Sequence, residues 1–323
     1  MKILVTGANG FVGRAVLQHL NALENVKTVG SLKTASSHVK DEKNYQAFEV
    51  VGELSGQTDW SQALKDVNTV IHTAARVHVM KDTASDPLKQ FRSVNVEGTL
   101  NLARQAAVAG VQRLVFISSI KVNGESTAKG NPFTPDDDPA PSDAYGISKL
   151  EAEQGLRAIS EQYGMEFVII RPPLVYGPGV KANFQSMMHW LQRGIPLPFG
   201  SINNLRSMVS LGNLIDFIAT CVFHPEAKNQ IFLISDGEDI STTQLLRRLS
   251  SKLGTPARLF SIPESLIINM AKILRQPAIA MRLCGTLQVD ISKQKQLLNW
   301  KPPYTVDFGL QTAAKGYLDE AIV

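Results

Sequence analysis

The chain has 323 residues, of which 44% are apolar and 19% are charged, as in an ordinary globular protein with one large domain or two lobes. Its net charge of +4 is spread without long basic runs, which argues against nucleic-acid binding but is compatible with an anionic small substrate. No run approaches the ~20 apolar residues of a membrane span. The apolar run at residues 3–5 is too short to be the apolar core of a signal peptide. Cys221 and Cys284 lack metal-ligand spacing, so we expect reduced thiols, no metal site and a cytoplasmic location.

Short apolar runs alternate with helical patterns through the first half of the chain. Strands are predicted over residues 2–6, 26–29, 69–73, 113–118 and 166–170, with a further strand before Gly52. Helices are predicted over residues 11–23, 94–109 and 148–163, and Gly110 and Gly164 follow the last two as end signals. This alternation predicts an α/β fold, a doubly wound parallel sheet covered by helices on both faces.

The texture of the sequence changes after about residue 172, where several prolines interrupt the chain. We predict a first domain over residues 1–171 and a smaller C-terminal lobe over most of 172–323, with some segments returning to the main sheet. The apolar segment 265–283 is expected to be a core helix of this lobe. A surface helix that contacts a membrane or a partner is the alternative.

A glycine-rich loop lies between the first predicted strand and the first helix. Glycines allow a tight turn and a close backbone approach, and the helix N-terminus offers free N–H groups to a pyrophosphate. Because the loop stands in the right strand–loop–helix context, we predict that it binds a dinucleotide. The residues of this predicted cradle are Gly7, Asn9, Gly10, Phe11, Val12 and Gly13.

The end of the second strand is where an acidic residue usually binds the 2′-hydroxyl of the adenine ribose. Ser31 stands there instead, and Lys33 lies two residues further on, near enough to meet a 2′-phosphate. We therefore favour NADP(H), while NAD(H) stays open. After the third predicted strand, Glu53 could accept a hydrogen bond from the adenine amino group, and Leu54 follows it.

Tyr145 and Lys149 are four residues apart, which places them on one face at the start of a helix. A tyrosine with a pKa near ~10 is a poor base at neutral pH, and a neighbouring ammonium favours its phenolate. Ser118 and Ser119 end a predicted strand, and a hydroxyl there could orient a substrate oxygen beside Tyr145.

The order of these features resembles the extended short-chain dehydrogenase/reductase family, the nucleotide-sugar epimerase/dehydratase group. The resemblance covers essentially the whole chain. Besides the glycine loop, the strand-end serines and the Tyr–Lys pair, it rests on residues 72–75 (HTAA), 95–99 (NVEGT), 171–179 (RPPLVYGPG), 290–293 (DISK) and 298–302 (LNWKP).

The resemblance implies a Rossmann fold, a C-terminal lobe that binds a UDP-sugar, and a homodimer. It implies that Ser119, Tyr145 and Lys149 are catalytic, Tyr145 as the acid/base and Lys149 as the anchor of the cofactor ribose. Further cofactor contacts are expected from Ala74, Ala75, Asn95, Ser118 and Pro172. Substrate contacts, besides Ser119, are expected from Asn183, Arg206, Arg282 and Leu287.

The family's shared chemistry is hydride transfer at a sugar carbon, commonly C4. Ile120 and Lys121 stand where a dehydratase has an acidic pair, which argues against dehydration. Because Ser31 replaces the acid of a permanent NAD site, the sequence favours a 4-keto reductase of surface-polysaccharide precursor synthesis. The alternative is a UDP-glucose or UDP-N-acetylglucosamine 4-epimerase, and a more remote one is a non-catalytic NADP-binding regulator.

Overall fold

The computed structural model describes residues 1–34, 47–77, 86–274 and 277–320. Residues 275 and 276, within the apolar segment 265–283, therefore lie outside the described residues. The strands are β1 (Lys2–Thr6), β2 (Lys27–Leu32), β3 (Phe48–Val50), β4 (Thr69–His72), β5 (Arg113–Ile117), β6 (Glu166–Arg171), β7 (Leu174–Tyr176), β8 (Met208–Ser210) and β9 (Gln230–Leu233). The α-helices are α1 (Phe11–Asn21), α2 (Pro87–Phe91), α3 (Thr99–Val108), α4 (Ala144–Tyr163), α5 (Ala182–Gln192), α6 (Leu211–Phe223), α7 (Thr242–Lys252), α8 (Glu264–Ile273), α9 (Pro277–Cys284), α10 (Ser292–Leu298) and α11 (Val306–Glu320).

Within the described residues, seven strands form one sheet in the order β3-β2-β1-β4-β5-β6-β9, and every neighbouring pair is parallel. The strand order reverses direction between β1 and β4, where a parallel sheet opens a crevice at the carboxyl ends of its strands. The predicted doubly wound α/β fold is therefore confirmed. The central strands are short apolar runs because both faces of a parallel sheet are covered.

Each face of the sheet has its own apolar core. One core joins β1, β5 and β6 to α1 and α6 and includes Phe217, Phe232 and Trp300. The other packs α3, α4 and the segment around Trp60 against the opposite face. Because α6 and β9 lie beyond residue 172 yet pack with the main sheet, the C-terminal half contributes to the first domain as well as to the lobe.

The remaining C-terminal elements surround a third core built from α5, α7, α11 and the β7–β8 pair. Asp236 joins this core to the main sheet through a buried polar network. Its carboxylate accepts hydrogen bonds from the Tyr176 hydroxyl at 2.6 Å and from the Asn213 amide at 2.6 Å. Asn213 also bonds both backbone groups of Tyr304, which holds the segment before α11 against α6. The division at residue 171 stays a prediction.

The expected core helix in segment 265–283 is wrong for α8, which has no buried residue. The segment forms two helices, α8 and α9, that pack on each other. Leu266, Met270, Ile273 and Leu274 follow the i, i+4, i+7, i+8 spacing of one helix face, and all are about half exposed or more, with Ile273 80% exposed. The apolar pattern correctly predicts helices here, but it does not show which helix face meets solvent.

Candidate active site

Gly7 and Gly13 of the glycine loop make contacts that leave no space for a Cβ atom. Gly7 has a left-handed φ of 66°, and a Cβ there would lie 3.0 Å from the backbone of Ala74. A Cβ on Gly13 would lie 2.2 Å from the carbonyl oxygen of Gly7, so only glycine lets α1 start this close to the loop. The loop is thus pressed between the start of α1 and the segment after β4.

The free end of α1 fits a dinucleotide pyrophosphate. Gly10 precedes the helix, no side chain caps its first turn, and Asn9 and Gly10 are exposed. The side chains of Phe11 and Val12 turn away to pack against different cores, leaving their backbone N–H groups at the helix start. An anion at this end would meet unpaired N–H groups and the positive end of the helix dipole.

At the end of β2 the structure forms an ion pair that the sequence analysis did not foresee. The Lys33 ammonium lies 2.5 Å from a carboxylate oxygen of Glu53, and both side chains are exposed. This pair lowers the pKa of Glu53 from its ordinary value. Ser31 is buried and its carbonyl accepts a hydrogen bond from Ala8 of the glycine loop. Leu54 packs against Gly98 rather than standing free.

Ser119, Tyr145 and Lys149 meet at the carboxyl end of β5. The helix carrying Tyr145 begins at Ala144, four residues before its predicted start, because the Asp143 side chain caps it by accepting from the N–H of Gly146 at 2.7 Å. The Ser119 hydroxyl lies near enough to Tyr145 to act on the ionisation of its phenol. The Lys149 ammonium donates to the Ile117 carbonyl at 2.9 Å and lies 6.0 Å from the centre of the Tyr145 ring.

Burial shifts the pKa values of Tyr145 and Lys149. It raises the pKa of Tyr145 to about 12; the Asp143 carboxylate adds to this rise and the nearby Ser119 hydroxyl opposes it. Burial lowers the pKa of the Lys149 ammonium to about 7, with the Glu153 carboxylate opposing the shift. A cationic group bound beside Tyr145 would favour its phenolate and offset the effect of burial.

A buried polar network lies directly beneath these residues. The Glu153 carboxylate, one turn after Lys149, pairs with the Arg171 guanidinium at 2.6 Å and accepts a hydrogen bond from the Ser118 hydroxyl. Arg171 also donates to the Asn123 side chain at 2.9 Å. Ser118, predicted as a cofactor contact, thus turns its hydroxyl into the protein. Glu153 was missed because an acid in a helix ordinarily indicates an exposed face.

Asn95 lies on a turn of π-helix, Arg92–Gly98, between α2 and α3, an irregularity often found at functional sites. Its side chain bonds both backbone groups of Arg76 and donates to the Ser148 hydroxyl at 3.0 Å. Asn95, predicted as a cofactor contact, therefore ties the Ala74–Ala75 loop to α4. Since Phe91 packs edge-on against the Tyr145 ring at 5.9 Å, this segment also supports the tyrosine.

Arg206 and Arg282 lie within electrostatic reach of each other in the C-terminal part of the chain. Burial lowers the pKa of the Arg206 guanidinium from its ordinary value; nearby Glu125 opposes this and Arg282 adds to it. Arg206 also donates to the Gly285 carbonyl at 3.0 Å. Leu287 pairs with Arg206 along the backbone, but its side chain is 5% exposed.

Leu287 is packed with Ile120, the residue next to Ser119, so it supports the site from the core. Pro172 is buried, and its carbonyl accepts a hydrogen bond from the Ile120 N–H at 3.0 Å. Asn183 lies exposed in the first turn of α5, and no contact among the described residues links it to the other candidates. Ala182 beside it has a left-handed φ of 56°, a strained conformation for alanine.

None of the helices in the described residues is both long and apolar enough to cross a membrane. No group of three or more His, Cys, Asp and Glu side chains among the described residues could hold a metal ion.

A sheet of this order, with a glycine cradle and a Tyr–Lys pair at its carboxyl edge, is the architecture of a short-chain dehydrogenase/reductase enzyme. The chain belongs to the NAD dependent epimerase/dehydratase family, whose model matches residues 3–235. It is 48% identical over 317 residues to a UDP-glucose 4-epimerase of Vibrio cholerae, covering 98% of this chain and 95% of that protein.

More distant relatives and solved structures agree with this family. An N-acetyl-alpha-D-glucosaminyl-diphospho-ditrans,octacis-undecaprenol 4-epimerase of Escherichia coli O157:H7 is 27% identical, over 95% of this chain and 92% of that protein. The fold matches that of a UDP-glucuronic acid 4-epimerase from Bacillus cereus in complex with NAD, with a TM-score of 0.79 at 21% identity, covering 98% and 96% of the two chains. A UDP-glucose 4-epimerase from Thermotoga maritima has a TM-score of 0.75 at 22% identity, with both chains fully covered.

The buried Lys149 makes a prediction about stability that needs no ligand. Its pKa is about 7 in the folded chain and about 10.5 when exposed, so between these values the unfolded state binds more protons. Stability contributed by Lys149 should therefore rise with pH across this window and be lost as pH falls to 7. The free energy of unfolding of the wild type minus that of Lys149→Met should increase by up to ~1.4 kcal/mol per pH unit. Urea titrations at several pH values measure this slope, and a flat difference would contradict it.

Proposed function

We propose that this chain interconverts the C4 epimers of a UDP-hexose, with UDP-glucose as the first candidate substrate. The observation that carries the proposal is the meeting of Ser119, Tyr145 and Lys149 at the carboxyl edge of the sheet, beside the glycine cradle. The 48% identity to a UDP-glucose 4-epimerase over nearly the full length favours the epimerase over the 4-keto reductase that the sequence alone favoured. The reductase remains the alternative.

In this proposal Tyr145 holds and moves the proton of the sugar 4-hydroxyl. Ser119, which lies beside Tyr145, orients the same oxygen. Lys149 anchors the cofactor ribose and, as an ammonium, favours the phenolate. A nicotinamide dinucleotide held by the glycine cradle would supply a reversible acceptor for the hydride on C4 of the sugar. Arg206 and Arg282 hold the anionic diphosphate, so that the sugar can turn over while the nucleotide stays bound.

The first test is to mix the purified chain with UDP-glucose and follow the formation of UDP-galactose. Conversion without net nicotinamide oxidation or reduction is the expected result. Stoichiometric NAD(P)H oxidation with a 4-keto sugar, and no epimerisation, would instead establish the reductase. No turnover with either sugar, despite cofactor binding, would favour the non-catalytic regulator.

Tyr145→Phe removes only the phenol oxygen and leaves the ring packed on Phe91. The turnover rate should fall by at least ~10²-fold, the usual contribution of a general acid–base group, with cofactor affinity and melting temperature unchanged. Tyr163→Phe is the matched control, because Tyr163 is exposed at the far end of the same helix. Near-wild-type turnover in Tyr145→Phe would remove this residue from the mechanism.

We further propose NAD(H) as the cofactor. The sequence alone favours NADP(H) because Ser31 replaces an acid and Lys33 is near, and that preference stays an untested prediction. The Lys33–Glu53 ion pair weighs against it, since Glu53 neutralises the lysine and repels a 2′-phosphate. The solved structures with this fold include one in complex with NAD.

Glu53→Gln should free Lys33 and raise the affinity for NADPH relative to NADH. Because the pair is exposed, the ratio of the two dissociation constants should shift by only about two- to fivefold toward NADPH. Fluorescence titration of both cofactors measures the ratio, and Glu49→Gln, on β3, is the control. A shift toward NADH would mean that Glu53 does not oppose a 2′-phosphate.

The exposed face of α8 favours a second candidate substrate, a sugar carried on a polyprenyl diphosphate. Leu266, Met270, Ile273 and Leu274 form an apolar stripe next to the exposed Lys272, a combination suited to a lipid–water interface. One relative at 27% identity is named for a lipid-linked sugar of this kind. Both substrates present a sugar on a diphosphate, so the same catalytic residues would serve either.

Ile273→Gln/Leu274→Gln separates the two substrates. Turnover of an undecaprenyl-diphosphate-linked N-acetylglucosamine in vesicles should fall, while turnover of UDP-glucose and UDP-N-acetylglucosamine in solution should not. Equal loss of turnover on all substrates would mean that these residues support folding rather than contact with a lipid. A wild-type chain that turns over only UDP-sugars would eliminate the lipid-linked candidate. A homodimer and a cytoplasmic location also stay proposals, the former tested by analytical ultracentrifugation.

A further inference from the structure

Lys121 contacts both Ser119 and the start of α4, the helix that carries Tyr145. It lies two residues after Ser119, on a short 3-10 turn, Ile120–Val122, that follows β5. Its backbone N–H donates to the Ser119 hydroxyl oxygen at 3.3 Å. Its backbone carbonyl faces the first turn of α4, where a Cβ on Gly146 would lie 2.9 Å from that oxygen. The backbone of Lys121 therefore already spans the gap between the serine and the helix of the tyrosine.

The side chain of Lys121 bridges the same two segments through ion pairs. Its ammonium pairs with the Asp143 carboxylate and lies 2.9 Å from Glu125, and all three side chains are mostly buried, at 23%, 29% and 29% exposure. The other oxygen of Asp143 accepts from Gly146 and starts α4. One carboxylate thus holds both the lysine and the helix N-terminus two residues before Tyr145.

The charged groups around Lys121 act on both Tyr145 and Arg206. Asp143 raises the pKa of Tyr145, and the Lys121 ammonium stands against that carboxylate. Glu125, the second partner of Lys121, also acts on Arg206 electrostatically, so the cluster extends from the tyrosine toward the proposed diphosphate site. The ion pairs of Lys121 therefore connect it to carboxylates that act on Tyr145 and Arg206.

We propose that Lys121 is a positioning residue that fastens the Ser119 turn to the first turn of α4 and so fixes the Ser119–Tyr145 geometry needed for turnover. It touches neither reacting atom and acts through Ser119, Asp143 and Tyr145. In its kinetic consequence the inference rests on the proposed epimerase function. Its structural consequence can be measured without any substrate.

The test compares Lys121→Met, which keeps the length but removes the charge, with Lys121→Arg, which keeps the charge. In Lys121→Met, kcat should fall by about tenfold or more, because small misplacements of reacting groups cost up to ~10²-fold, while KM and cofactor affinity stay near wild type. Lys121→Arg should recover most of the loss. Lys129→Met, an exposed lysine in the same loop, is the matched control.

Hydrogen–deuterium exchange supplies the readout that does not need activity. In Lys121→Met the amides in the first turn of α4 should exchange faster, with those of Lys129→Met unchanged. Asp143→Asn, which keeps an oxygen for Gly146 but loses the ion pair, should act in the same way and serves if Lys121→Met does not fold. Unchanged exchange in the folded variants overturns the inference. A wild-type chain that epimerises no sugar overturns the proposed function, and exchange then decides on Lys121 alone.

Discussion

The buried ion pair between Glu153 and Arg171 fixes the relative positions of the three elements that build the site. Glu153 is on α4 and Arg171 ends β6. The Ser118 hydroxyl, just after β5, donates a hydrogen bond to the Glu153 carboxylate. Losing one partner would leave a buried charge unpaired, at a cost of about 3–5 kcal/mol. Ser119 follows Ser118, Pro172 follows Arg171 and Lys149 precedes Glu153 by one turn. Ser119 and Lys149, two of the three residues proposed for catalysis, thus lie next to or one helical turn from residues of this network.

Burial of the site also shifts the pKa values of Tyr145 and Lys149 in opposite directions. Burial makes the Lys149 ammonium easier to deprotonate and the Tyr145 phenol harder to ionise, so neither is set for proton transfer in the chain alone. Glu153 helps to keep Lys149 charged, and Ser119 helps to stabilise the phenolate. A cationic cofactor bound in the glycine cradle would lower the pKa of Tyr145. Cofactor binding would therefore prepare this residue for proton transfer.

Sequence reasoning found the features that depend on local pattern. The strand–glycine–helix unit and the Tyr145–Lys149 spacing were readable because each is fixed by a few adjacent residues. The partners of charged groups were not readable, since Lys33 and Glu53, or Glu153 and Arg171, are brought together only by the fold. The π-helical turn around Asn95 was hidden inside a continuous helical pattern, and the outward face of α8 was read as a core face because periodicity does not say which side meets solvent.

The central claim is that one site takes a hydride from C4 of the sugar and returns it to the same carbon. The direct measurement uses UDP-glucose deuterated at C4, with the isotope content of the UDP-galactose product determined by mass spectrometry and nuclear magnetic resonance. The account predicts that the deuterium is retained at C4, even with excess unlabelled cofactor in solution. Product that has lost its deuterium to the solvent or to the cofactor pool would contradict it.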